Sequence, residues 1–302
     1  MCKKELARRW FLKGCRYDST GSERDKAIDA YRRSLKHDDE LTDAYVNLGF
    51  IYLAGNDYEK AAKCFQDVVG LEPKNPEAFN NLGYVYEEMK RLGCARQAYR
   101  QASGLDPKNV ETMLNLAKVY ELEGNYHDAV KQYKRAIKQD ADIIAPRFCL
   151  AVLYDNYDMF DEAMEEYQGV LDRDPDHIKG LLNMGNLYVQ LGNNERAIDL
   201  FKRVIALDPD NADACNQLGS VHKSDGNYAE ASASYKRVLL LDPFKEDAHM
   251  ELAEAQYLQY RSKFNGVKKE EVRQRIDYLL AINPDNGKGK QLLKELIEGD
   301  RG

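Results

Sequence analysis

The chain has 302 residues, 43% hydrophobic and 31% charged with only 8 prolines, a composition that excludes extensive disorder and points to a folded, helix-rich protein. Its formal net charge of −7, from 51 acidic and 44 basic residues, argues against broad attraction to nucleic acid or anionic lipid. No apolar run reaches the roughly 18 residues of a membrane span. The six cysteines, at positions 2, 15, 64, 94, 149 and 215, form no CxxC pair and no Cys/His cluster at zinc-ligand spacing, so they read as reduced thiols in a cytoplasmic protein. The N-terminus MCKKELARRW lacks the apolar segment of a secretory signal, although a lipoprotein cleaved before Cys2 would begin in a similar way.

In chain order, WFLKGCRY (10–17) opens a first helix, the turn DSTGSERD follows, and Ala27 and Tyr31 lie on a second helix. From Thr42 onward one pattern recurs. Prolines after an acid stand at 73, 107, 175, 209 and 243, with gaps of 34, 68, 34 and 34, and Ala141 fills the missing place. With this proline as position 32, units begin at 42, 76, 110, 144, 178 and 212. Position 7 is Leu48, Leu82, Leu116, Leu150, Met184 and Leu218, and position 8 is always Gly or Ala. Position 11 is Tyr52, Tyr86, Tyr120, Tyr154, Tyr188 and His222. Position 20 is always alanine, and position 24 is always Phe or Tyr.

Positions 4, 7, 8 and 11 share one face of a first helix at 3.6-residue spacing, and positions 20, 24 and 27 share one face of a second. Each unit is expected to be a helical hairpin. A small residue at 8 is expected to face alanine at 20, with the aromatics at 11 and 24 filling the flanks. Gly124 and Gly226 stop first helices, and the proline at 32 ends second helices. After 245 the pattern decays. Gln256 replaces the tyrosine of position 11, a loop near SKFNGVKK is inserted, the next helix runs to Pro284, and KGKQLLKELIEG reads as a polar capping helix.

These residues resemble the tetratricopeptide repeat family, whose Leu-Gly-x-x-Tyr, alanine, aromatic and proline pattern they reproduce over at least 42–245. The resemblance implies an all-α, right-handed α-solenoid of about eight hairpins plus a C-terminal capping helix. Its expected repeats are 7–41, 42–75, 76–109, 110–143, 144–177, 178–211, 212–245 and a degenerate 246–286, with the cap at 287–302. It further implies that first helices line a concave face.

On those helices position 6 reads Asn47, Asn81, Asn115, Cys149, Asn183 and Gln217, and position 9 reads Phe50, Tyr84, Lys118, Val152, Asn186 and Ser220. An asparagine offers both a donor and an acceptor, so a ladder of them suits the backbone of an extended peptide. The ladder resembles that of peptide-reading members of the family. The alternative is that these asparagines bond to a neighbouring repeat. Asp43, Glu77, Glu111, Asp213 and Asp247 at position 2, with Glu87, Glu88, Glu121 and Asp155 at positions 12 and 13, suggest an acidic groove favouring a peptide with basic residues. A solvated helix face with acids near its N-terminus explains the position 2 acids equally well. The family's carboxylate clamp is not expected, because position 5 (Val46, Asn80, Leu114, Phe148, Leu182, Asn216) lacks its lysine.

The five histidines form no metal-binding spacing, and His222 and His249 fall at core positions. NGKGK (286–290) lacks the strand and glycine spacing of a phosphate loop. The sequence therefore reads as a non-enzymatic adaptor without cofactor that binds an extended segment of a protein partner. Its alternative is a self-assembling scaffold, a homo-oligomer.

Overall fold

A computed structural model describes residues 2–19, 21, 23–262 and 267–298. Thr20 and Ser22 of the first turn, residues 263–266 of the inserted loop and residues 299–302 of the expected cap lie outside this set. The described residues form seventeen α-helices and no strand. The first helices of successive units are α1 (Lys3–Ser19), α3 (Thr42–Ala54), α5 (Pro76–Glu88), α7 (Val110–Leu122), α9 (Ile144–Asn156), α11 (Ile178–Gln190), α13 (Ala212–Ser224) and α15 (Glu246–Arg261). The second helices are α2 (Arg24–His37), α4 (Tyr58–Leu71), α6 (Leu92–Leu105), α8 (Tyr126–Gln139), α10 (Phe160–Leu171), α12 (Asn194–Leu207), α14 (Tyr228–Leu241) and α16 (Lys269–Ile282), and α17 (Gly287–Glu298) follows. The chain divides into two compact units, residues 1–150 and 151–302.

Within each unit the repeat positions explain the packing. Alanine at position 20 is fully buried in all six regular units, and position 27 (Val68, Ala102, Ala136, Val170, Val204, Val238) is buried as well. Position 8 departs from the expectation that it faces position 20. A methyl group built on Gly49, Gly83, Gly185 or Gly219 would come within 2.6–2.8 Å of the ring at position 24, Phe65, Tyr99, Phe201 or Tyr235. The small residue makes room for an aromatic ring, and the ring sets how closely the two helices approach.

The turn inside each hairpin holds position 15 at positive φ: Asn56, Lys90, Gly124, Asp158, Gly192 and Gly226 lie between +57° and +78°. Glycine takes this conformation without cost, whereas the other three carry a Cβ there. Between hairpins, the residue two after the proline caps the next first helix. Asn75, Asn109 and Asn211 accept from backbone N–H groups of the following turn, and His177 Nδ1 accepts from the Gly180 N–H.

At the other end of the chain, α17 lays Leu292 and Leu296 against Val272, Ile276 and Leu279 of α16 and Met250, Ala253 and Tyr257 of α15. Tyr257, one residue beyond the missing tyrosine, donates to Glu295 of α17 (2.9 Å).

Candidate peptide-binding face

In residues 1–150, position 9 gives consecutive first helices an exposed ring, another exposed ring and an exposed cation. Phe50 and Tyr84 are 46% and 42% exposed, and Lys118 follows. Phe50 rests edge-on against Phe65, with ring centroids 5.4 Å apart. It also lines an open hollow of about 380 Å³ with Tyr17, Arg24 and Ala54. Arg24 is fixed there by donating to the Ile51 carbonyl (3.0 Å).

The position 6 asparagines are half-buried and mostly engaged with the preceding repeat. Asn47 Nδ2 donates to the Tyr31 hydroxyl (3.0 Å), and Asn115 Nδ2 donates to Asn80 Oδ1 (3.3 Å). Asn80 Oδ1 also accepts from the Thr112 hydroxyl (3.2 Å), and its Nδ2 donates to Glu111 (3.4 Å). Asn81 follows a repeat whose position 24 is Phe65, so it has no hydroxyl to bond. In residues 151–302, Asn183 Nδ2 donates to the Tyr167 hydroxyl (3.2 Å), and Asn186 and Gln217 are half-buried. The bond to a neighbouring repeat is thus present at Asn47, Asn115 and Asn183, and it leaves each side-chain carbonyl oxygen for another donor.

The acids at position 12 require a correction. Glu87 is only 4% exposed, so it does not present a free carboxylate. One of its oxygens accepts from the Tyr99 hydroxyl (3.2 Å), and the other pairs with Lys118 (2.5 Å). Glu121 accepts from Tyr133 (3.1 Å), and Asp155 is hydrogen-bonded to Tyr167. Burial, reinforced by these partners, pushes the Tyr99, Tyr133 and Tyr167 phenols well above their ordinary range. The hydrogen bond that Lys118 donates to Glu87 holds its ammonium above the usual value, and burial raises the Asp155 carboxyl. Glu77 and Glu111 remain exposed, at helix N-termini where acids are ordinary. Of the nine acids expected to favour a basic ligand, the three at position 12 are thus engaged inside their repeats, and the five at position 2 are exposed.

The rule behind this was in the sequence. Position 24 is Tyr where position 12 is acidic (Tyr99 with Glu87, Tyr133 with Glu121, Tyr167 with Asp155), and Phe where position 12 is apolar (Phe65 with Leu53, Phe201 with Val189). In the last regular unit Lys223 stands at position 12. There the Tyr235 hydroxyl donates to Glu251 of the next helix (3.1 Å), and Lys223 pairs with the same carboxylate (2.5 Å) and with Glu254 (2.6 Å).

Family models agree with this architecture. The TPR repeat model matches residues 51–90 and 185–226, and tetratricopeptide repeat models match 86–147 and 212–245. The chain belongs to the tetratricopeptide repeat (TPR) family. No curated protein matches the sequence. Among solved structures, the C-terminal part of a TPR repeat-containing protein from Cytophaga hutchinsonii is 16% identical with a TM-score of 0.72, covering 81% of this chain and 98% of that one. A TPR protein from Parabacteroides merdae is 17% identical with a TM-score of 0.59, over 85% of this chain and 98% of that one. YrrB, described as a TPR protein with an unusual peptide-binding site, is 22% identical with a TM-score of 0.50, over 62% of this chain and 96% of that one. These likenesses establish the TPR fold. His222 and His249 are buried, and among the described residues no cluster of three His, Cys, Asp or Glu side chains could hold a metal ion. No described helix is long and apolar enough to cross a membrane.

Proposed function

We propose that this TPR protein is an adaptor that captures an extended segment of a partner protein on its first-helix face in residues 1–150. The observation that carries this reading is the exposure of Phe50 and Tyr84 on neighbouring first helices, beside Asn47, Asn81 and Asn115. Two aromatic anchors one repeat apart supply contact area at low entropic cost, and the amide oxygens beside them accept from a peptide backbone. The shared fold with a TPR protein described as having a peptide-binding site supports it.

The test starts with capture of partners on the immobilised protein and their identification by mass spectrometry. The identified segment is then titrated as a synthetic peptide. Phe50→Ala with Tyr84→Ala should weaken binding at least tenfold while leaving the helical circular dichroism intact, and the triple change of Asn47, Asn81 and Asn115 to Ala should weaken it as well. Equal affinity across these variants would refute the reading.

Self-assembly is favoured by a different observation. Leu240 and Phe244 are 81% and 78% exposed, at positions where the other regular units carry Gly, Ala or charged residues. Light scattering over a dilution series distinguishes this reading, because a strict monomer at high concentration removes it.

A further inference from the structure

Positions 3, 7 and 10 of a first helix face the hairpin that precedes it. Leu218 and Val221 cluster with Ala197 and Phe201 of α12, Leu252 and Ala255 cluster with Ala231 and Tyr235 of α14, and Ala248 packs on Val238. Position 7 is Leu or Met and position 10 is Ile, Val, Leu or Ala in every unit from 42 onward, all of them buried.

In α1 the same three positions are Arg9, Lys13 and Arg16, and all three are exposed. The register is fixed independently, because a Cβ built on Gly14 would lie 2.6 Å from the Tyr31 ring, as at position 8 elsewhere. Beside the cations, at position 6, stands Leu12, 59% exposed. With Leu6 and Trp10 these residues line an open hollow of about 550 Å³ along the helix. Helix α1 as a whole carries six Lys or Arg against Glu5 and Asp18, in a chain of net charge −7. Among the described residues no carboxylate pairs with Arg9, Lys13 or Arg16. The Lys13 ammonium and the Arg33 guanidinium lie over the Trp10 ring instead, 4.8 and 4.7 Å from its centroid.

We infer that this face of α1 is a second docking site, distinct from the first-helix face of the proposed function, and that its occupant is an acidic amphipathic helix of a partner. A helix is indicated because the surface is the one that every later first helix presents to a preceding second helix. Acidity is indicated by three cations that no carboxylate pairs, running along the middle of the face, and apolar contact by Leu12 on one side of them and by Leu6 and the Trp10 ring on the other. A surface meant only for water needs no exposed leucine lining such a hollow. Helix α17 shows the contrast, since it covers α15 and α16 with Leu292 and Leu296 turned inward.

Trp10 is the only tryptophan, so its fluorescence reports on this site alone. The probe is a synthetic helical peptide with Leu at i, i+3, i+4 and i+7 and Glu at the flanking positions, titrated into the full chain. The expected result is a saturable change in Trp10 emission, at least tenfold weaker for Arg9→Glu with Lys13→Glu and for a peptide whose Leu residues are replaced by Ser. It should be unchanged in the Phe50→Ala, Tyr84→Ala variant, which separates this site from the adaptor face. Circular dichroism confirms that the charge-reversal variant is folded. No emission change with the peptide overturns the inference, as does equal binding to the Arg9→Glu, Lys13→Glu variant. A response to phosphatidylserine vesicles but not to the peptide assigns the face to a membrane. A response to protein concentration alone assigns it to a second copy of the chain. Either result overturns the acidic-helix inference.

Discussion

Lys90 holds a backbone conformation that suits glycine, at φ 59°, in the turn position where three of the six regular units have Gly. Lys90→Gly should therefore stabilise the protein by about 1 kcal/mol, read as a higher urea midpoint. Gly185 presents the opposite case, because a Cβ there would lie 2.6 Å from the Phe201 ring. Gly185→Val should cost about 1–3 kcal/mol through overpacking. His222 occupies a position that is tyrosine in the other regular units, and burial lowers its pKa below the usual value of about 6.5. Between the two values the unfolded chain binds the extra proton, so stability is full above pH about 6.5 and declines as pH falls below it. Carboxylates held below their ordinary range, such as Glu254, act only at lower pH. Urea midpoints at pH 7.5 and 5.5 should thus differ in the wild type and converge in His222→Tyr.

Among the elements, the bond from position 24 to position 12 couples the two helices of a hairpin. Tyr99→Phe leaves the buried Glu87 with Lys118 alone and should cost about 1–3 kcal/mol. Adding Glu87→Leu, which copies the Phe65 and Leu53 pairing, should recover most of that loss, and a double-mutant cycle in urea measures the coupling. The helices themselves were legible in the sequence, because the proline period and the Leu-Gly-x-x-Tyr spacing are local signals repeated many times. The roles of the acids were not. Glu87, Glu121 and Asp155 lie on the same helix face as exposed polar residues, and only their pairing with a tyrosine one helix later distinguishes them. The asparagines of position 6 were legible only as a face, since the sequence left open whether a neighbour or a ligand receives their bonds.

For the molecule as a whole, division into two compact units means that stability is distributed rather than shared equally by all hairpins. Gly185→Val should lower hydrogen-exchange protection in α11 and α12 and their immediate neighbours while α3 to α6 keep theirs. Uniform loss of protection along the chain would show instead that the array unfolds as a single cooperative body. Array architecture also explains why fold was easier to read than function. The core positions are written again in each unit, whereas an exposed Phe50, an exposed Leu12 or a basic α1 is written once.

The clamped tyrosines give the fold an optical counter. Burial and hydrogen bonding hold the phenols of Tyr31, Tyr99, Tyr133, Tyr167 and Tyr235 far above their ordinary range. In the unfolded chain each would ionise near pH 10, so folding is favoured fully below that pH and loses ground as alkalinity rises past it. In an alkaline titration the surface phenols absorb as phenolate first, and these five lag until their own hairpin opens. The late ultraviolet amplitude then counts how many repeats are still closed.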